Sequence, residues 1–384
     1  MQIRLERRLR QPRWLTVAVP VASLVVAFVL AAIVLLVTGH NPISTYRKLF
    51  NAAFIQTGAL SQTLITTTPL IFTGLAAAAA FRMRLFNIGA EGQLYIGATT
   101  AAAAGLYLGG SGESSPFVIG TMVVAGCAGG AAWALIPGAL RAFFKTNEII
   151  TSLMLNYVAA YLITYLIFES QSYWRETKGF NAAVFPTPKS LPENAVWPHW
   201  TLDIQGGVVI PLGLLLGLAT AVVLWFLYNR TRFGFEVQVL SDSERAARYG
   251  GVRVRRKILA VMAISGAIAG LGGASQVGDV AHGLDGDPNG LQKLGYGYTG
   301  IVVAALARYN PFATCLVAFL IGGLENAGNT LQGADFPAGL VGVIQGIILF
   351  CALGGEVLVR YRLRVVREPK TAPAPATPAA PETT

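Results

Sequence analysis

Asn87, Glu91 and Gln93 stand close together inside the otherwise apolar stretch LFNIGAEGQLYIGA, residues 85–98. An amide or carboxylate within a bilayer is expensive and is ordinarily turned toward a cavity or a partner. Gly89 and Gly92 lie between them, where they loosen a helix and expose backbone groups for binding. One reading is the lining of a substrate pathway or a hinge beside it. The other is an interfacial helix start with Glu91 satisfied by its own helix N-terminus. Asn156 with Tyr157, Gln276 with Asp279, Glu325 with Asn326, and Gln345 pose the same choice, with interhelical hydrogen bonding as the competing role.

Catalytic and metal-binding patterns are missing. The sequence contains no GxxxxGK phosphate loop, so ATP hydrolysis by this chain alone is not expected, and no cofactor is implied. It has neither a GxSxG nucleophile elbow nor an HExxH pair, and His40, His199 and His282 lie far apart in predicted loops. Cys127, Cys315 and Cys351 sit singly in apolar runs and read as packing residues. The segment DGDPNG, Asp285 to Gly290, imitates the opening of a calcium loop, but Tyr296 stands where the bidentate glutamate belongs and Pro288 interrupts it. A glycine-rich turn accounts for it better.

The elements that must position these residues are membrane helices. Of 384 residues 54% are hydrophobic and 12% charged, whereas a soluble domain carries roughly a quarter charged residues. The expected fold is an all-α polytopic membrane protein of about ten transmembrane helices, some short or discontinuous. Apolar runs cover 14–37, 59–80, 88–109, 117–140, 148–168, 207–228, 258–278, 312–328 and 337–359, and 296–307 is too short to cross alone. Segments 59–168 and 258–359 each flank a glycine-rich polar break, which suggests a pseudo-repeat of two halves. Glycines four apart, such as Gly126 and Gly130 or Gly266 and Gly270, let helices approach closely.

Charge orients the chain. The segment 230–257 carries eight basic residues against three acidic ones, while 169–206 carries three against four. The positive-inside rule therefore places 230–257 in the cytoplasm and 169–206 outside. Arginines at 4, 7, 8, 10 and 13, and again at 360, 362, 364 and 367, put both termini in the cytoplasm. The expected division is a cytoplasmic N-terminus, 1–13, a transmembrane domain, 14–359, and a disordered cytoplasmic tail, 360–384. The net charge of +10 thus reflects topology, and no basic soluble domain exists to bind nucleic acid.

FNIGAEGQ at 86–93, TNEIITSLMLNY at 146–157, AARYGG at 246–251, AGLGGA at 269–274 and GYGYTGIVVAALARYNP at 295–311 occur together in that order. With these pieces the chain, from Ser61 to Leu353, resembles the permease subunits of ABC importers of the branched-chain amino acid and ribose type, in the nucleoside or simple-sugar branch. Asp242, Ser243 and Glu244 replace an Asn or Pro frequent in that family, and Ala307–Arg308 replaces a Gly-Arg.

The resemblance implies a bacterial cytoplasmic-membrane complex. Two permease subunits, expected to be non-identical, would sit on two cytoplasmic ATPase subunits and receive a nucleoside or sugar from an extracytoplasmic binding lipoprotein. It makes Glu244, Arg245, Ala246, Ala247, Arg248, Tyr249 and Gly250 the expected ATPase-coupling surface, with a short helix over 244–249. A nucleoside's flat base and ribose hydroxyls suit stacking and amide hydrogen bonds, which points to Phe86, Asn87, Gln93 and Asn156, with Glu91 beside them, as pathway residues. A ribose-type sugar would use the same groups. The alternative class is a proton-coupled secondary transporter with Glu91 as proton carrier.

Overall fold

The computed structural model describes residues 2–7, 13–111, 113–177, 186–203, 207–284, 295–332 and 339–366. The calcium-like segment 285–290 and the tail beyond 366 lie outside them. The described chain is mostly helical, with α1 Arg13–Val37, α2 Pro42–Phe50, α3 Ala59–Phe81, α4 Ala90–Gly109, α5 Ser115–Phe144 and α6 Glu148–Thr164. There follow α7 Leu212–Arg230, α8 Arg232–Asp242, α9 Glu244–Tyr249, α10 Val254–Ser275, α11 Tyr296–Leu306, α12 Pro311–Leu331 and α13 Leu340–Arg360. Wider π turns extend α2 over Asn51–Ile55, α6 over Tyr165–Glu169 and α10 over Gln276–Ala281.

Six of the described helices are long and apolar enough to cross a membrane: α3, α5, α6 and α10 with their π turns, α7 and α12. A bent pair, Val25–Val37 with Pro42–Ile55 at 116°, makes a seventh candidate. With no water in a bilayer core to satisfy backbone groups, helices are the form such apolar runs must take. The protein is a multi-pass membrane protein.

Helix α3 is the central post and is buried along nearly its whole length. The run Ala76–Ala80 allows neighbours to approach it from every side. On one flank α12 runs antiparallel to it, from Thr314 beside Gly74 to Asn326, whose amide donates to the Ala59 carbonyl (3.1 Å) and Thr63 Oγ1 (3.0 Å). On the other flank α4, α5 and α10 cross through their glycines. A Cβ on Gly270 would come within 3.0 Å of Gly130 Cα, and one on Gly97 within 2.8 Å of the Gly270 carbonyl carbon. Without a hydrophobic drive in lipid, such backbone-to-backbone packing is what holds helices together.

A second core joins Ala27, Ala31 and Leu35 of α1 to Leu49 of α2 and to Leu340, Ile344 and Ile348 of α13. Strand β1 Gln2–Arg7 pairs antiparallel with β4 Tyr361–Val366, bringing the segments before α1 and after α13 together. Strands β2 His199–Leu202 and β3 Val208–Pro211 form a hairpin leading into α7. That hairpin shortens the apolar run expected over 207–228, so α7 begins only at Leu212. Helix α2 falls between the first two expected spans, and the polar segment 230–257 folds into α8 and α9.

Candidate functional site

Helix α3 ends at Phe81, and Arg84 adopts a left-handed turn (φ 56°) that reverses the chain. The segment 85–89 then re-enters the protein, bringing Asn87 level with Ala76 of α3 and Ser265 of α10. Ser265 lies about 16 Å along α10 from Val254, and Asn156 about 12 Å along α6 from Glu148, at 1.5 Å per residue. The expected polar cluster therefore sits deep within the span.

Asn87 and Gln93 form a closed amide pair. Asn87 Nδ2 donates to Gln93 Oε1 and Gln93 Nε2 donates to Asn87 Oδ1, both at 3.0 Å. Asn87 Nδ2 also donates to Ser265 Oγ (2.9 Å), whose hydroxyl donates to the Ala76 carbonyl (2.7 Å), and Asn87 Oδ1 accepts from Gly89 N (3.0 Å). Asn156 fastens the same segment to α6: its Oδ1 accepts from Gly92 N (2.9 Å), and its Nδ2 donates to the Ile88 carbonyl (2.9 Å) and Tyr298 Oη (3.3 Å). One turn earlier, Ser152 Oγ accepts from Ile88 N (3.2 Å).

Two glycines make this approach possible. A Cβ on Gly92 would lie 3.0 Å from Asn156 Cα, and one on Gly89 would lie 2.9 Å from Asn87 Oδ1. Glycine is thus demanded by close packing at both positions.

Glu91 serves a different helix. Its carboxylate accepts from the Tyr95 hydroxyl and from the backbone N–H of Gly297, at the start of α11. It does not cap its own helix, as the interfacial alternative required. A buried carboxylate placed at another helix's N-terminus is stabilised by the unpaired N–H groups and the positive end of the dipole. From that cap α11 passes Thr73 and Gly74 and ends near Arg82, whose Nε donates to the Tyr309 carbonyl (3.2 Å). Beyond the cap, Glu325 of α12 receives a hydrogen bond from Gln345 Nε2 of α13 (3.2 Å).

The structure therefore brings Asn87, Glu91, Gln93 and Asn156 into one buried knot, with their polar atoms engaged by protein. Phe86 lies apart from it, 42% exposed, with its ring 5.2 Å from that of Phe81. Tyr95, Ser152, Gly297 and Tyr298, which lie within the quoted stretches without being named as site residues, and Ser265, which lies outside them, complete the knot. Spacing is a further local signal: Glu91 and Tyr95, like Ser152 and Asn156, are four apart and share a helix face.

The second candidate lies just before the N-terminal end of α10. Ser243 Oγ accepts from Ala246 N (3.3 Å) and starts α9 as its N-cap. Ala247 is buried and anchors the helix, while Glu244, Arg245, Ala246, Arg248, Tyr249 and Gly250 are exposed. Tyr249 is 94% exposed, and Arg248 pairs with Glu244 one turn back. An ion pair from Lys257 of α10 to Glu236 of α8 fixes this projection to the span behind it.

The family described as "Branched-chain amino acid transport system / permease component" matches residues 59–353, from the first residue of α3 into α13. The chain belongs to this permease family. It is 32% identical to the glucose ABC transporter permease protein of Haloferax volcanii over 98% of both chains. It is also 32% identical to the guanosine ABC transporter permease protein of Bacillus subtilis, covering 86% of this chain and 91% of the relative. The nucleoside ABC transporter permease protein of Lactococcus lactis is 30% identical over 87% and 90% of the two chains. The permease is accordingly a membrane subunit of an ABC transporter.

Proposed function

We propose that this permease imports nucleosides, driven by a separate ATPase that docks on α9. The observation that carries the proposal is the likeness to guanosine and nucleoside permeases over most of each chain. A sugar is the second reading, favoured by the glucose permease that matches 98% of the chain. Competition decides between them. Guanosine uptake by the intact complex should be inhibited by other nucleosides and not by glucose or ribose; the reverse order would transfer the assignment to sugars.

In this reading a second permease, non-identical to this one, completes the path, and an extracytoplasmic lipoprotein delivers solute. The coupling surface is Glu244 to Gly250, supported by the exposure of Arg245, Arg248 and Tyr249 around the buried Ala247. ATP binding draws α9 with the ATPase, and α10 carries the displacement into the span. Phe86 contributes an exposed ring to the path, whereas Asn87, Glu91, Gln93 and Asn156 position the surrounding helices through the knot.

The proposed topology has ten membrane-embedded segments, α11 being too short to cross alone, with both termini in the cytoplasm of a bacterial cell. Pairing of β1 with β4 supports termini on one side. The meeting of α4 and α11 at Glu91 and Gly297, each after a break, supports two related halves. Identification of proteins co-purifying with the chain from native membranes tests the assembly: an ATPase, a second permease and a lipoprotein are expected.

A further inference from the structure

We infer that a tyrosine ladder on α6, formed by Tyr157, Tyr161 and Tyr165, lines the translocation path and recognises the flat ring of the transported nucleoside; this rests on the permease reading above. The three residues recur at four-residue spacing and are 52%, 68% and 56% exposed. They therefore form one stripe on the face of α6 opposite Ser152, Asn156 and Ala159, which are buried.

Depth separates this stripe from an ordinary interfacial belt. Helix α6 with its π turn spans Glu148–Glu169. At 1.5 Å per residue Tyr157 lies about 14 Å from the first end, and Tyr161 about 12 Å from the other. Aromatic belts place tyrosines at the membrane surface. Only Tyr165 is near one. Among the described residues none of the three hydroxyls has a protein partner, and a hydroxyl turned into hydrocarbon without a partner is costly. The exposed face of α7 carries no phenol, only Leu215, Leu218, Val222, Val223 and Phe226, whereas on α6 the tyrosines stand among the exposed apolar Ile150, Met154 and Val158.

The stripe is also continuous with the candidate site. Tyr157, at the edge of the stripe, interacts electrostatically with Tyr298, whose hydroxyl accepts from Asn156 Nδ2 and which is itself 39% exposed at the start of α11. Successive phenol rings thus run along the outer face of α6 from beside Tyr298 toward the end of the span at Glu169. Side chains four apart on a helix are about 5–6 Å apart at Cβ, so a base leaving one ring meets the next. A stack supplies affinity that tolerates base identity, and the hydroxyls offer hydrogen bonds to ribose.

The test uses the complete transporter in membrane vesicles, with Cys127, Cys315 and Cys351 replaced by alanine and uptake verified. Tyr157→Cys and Tyr161→Cys should react with a membrane-impermeant, charged thiosulfonate, and saturating guanosine should slow that reaction by about tenfold. Val223→Cys on α7 should react only with a lipid-soluble maleimide. If Tyr161→Cys behaves like Val223→Cys, the face meets lipid or the second permease and the inference is overturned; labelling that guanosine does not slow overturns it too. In uptake, Tyr161→Leu should raise the half-saturating concentration by about tenfold while Tyr161→Phe changes it by less than about threefold. Equal uptake by all three proteins would refute the ladder. Failure of the permease reading is seen separately, as absence of ATP-dependent uptake in the unsubstituted complex.

Discussion

Replacing Asn87 with leucine should destabilise the permease by an amount set by the groups it leaves behind. The substitution orphans the Gly89 N–H and both ends of the Gln93 amide, while Ser265 keeps its hydrogen bond to the Ala76 carbonyl. An unsatisfied buried polar group costs about 1–3 kcal/mol. Hydrogen bonds between membrane helices average only about 0.6 kcal/mol when measured by double-mutant cycles. Three orphaned groups at the low end of the first range give about 3 kcal/mol, or a fall of roughly 4 °C in the midpoint of thermal unfolding for a chain of 384 residues. The assay is the midpoint of the purified protein in mild detergent, followed by loss of the monodisperse peak on size exclusion.

The double variant Asn87→Leu, Gln93→Leu removes both partners and should recover part of the loss, since replacing both ends of a bond by apolar groups is nearly neutral. Molecules of Asn87→Leu that do assemble should bind solute with nearly the unsubstituted half-saturation. A midpoint unchanged within about 1 °C, or losses that simply add in the double variant, would refute the view of Asn87 as a positioning residue.

Gly270→Leu should block assembly altogether, because its side chain would enter the crossing with Gly126 and Gly130, where overpacking costs about 1–3 kcal/mol or more; expression followed by size exclusion reads this directly. Glu91→Ala should loosen α11, visible as faster proteolysis near Gly295, while Glu91→Gln keeps one carbonyl oxygen to accept from the Gly297 N–H and an amide N–H that can donate to the Tyr95 hydroxyl oxygen, and should preserve ATP-driven uptake. Abolition of pH-gradient-driven uptake by Glu91→Gln would instead support the proton-coupled class. Arg245→Glu with Arg248→Glu should leave the thermal midpoint within about 1 °C, since both side chains are exposed and surface pairs contribute at most about 1 kcal/mol, yet should abolish solute-stimulated ATP hydrolysis by the complex.

Hydropathy made the long spans legible, because a run such as 212–230 has no stable form in lipid except a helix. The helix at 244–249 was legible from the family resemblance and fits its Ser243 cap and its charges. Helix α8 was not: its polar residues read as loop, and its placement depends on Lys257 and on Val237 and Leu240 packing inward. The polar residues of the knot were visible as unusual, but not their employment. Asn87 meets Ser265 across 178 positions and Glu91 meets Gly297 across 206. Nothing local distinguishes a carboxylate that faces a path from one that caps a distant helix. Hairpin β2–β3 escaped for the related reason that Val208–Pro211 is apolar enough to pass for the first turn of a span.

The central claim, that this chain is a permease powered by a borrowed ATPase, is tested most directly by accumulation of labelled guanosine in proteoliposomes. The complex should accumulate it only with ATP, the ATPase and the binding protein present, and should fail with Arg245→Glu, Arg248→Glu. Concentrative uptake by this chain alone under a proton gradient would contradict the account.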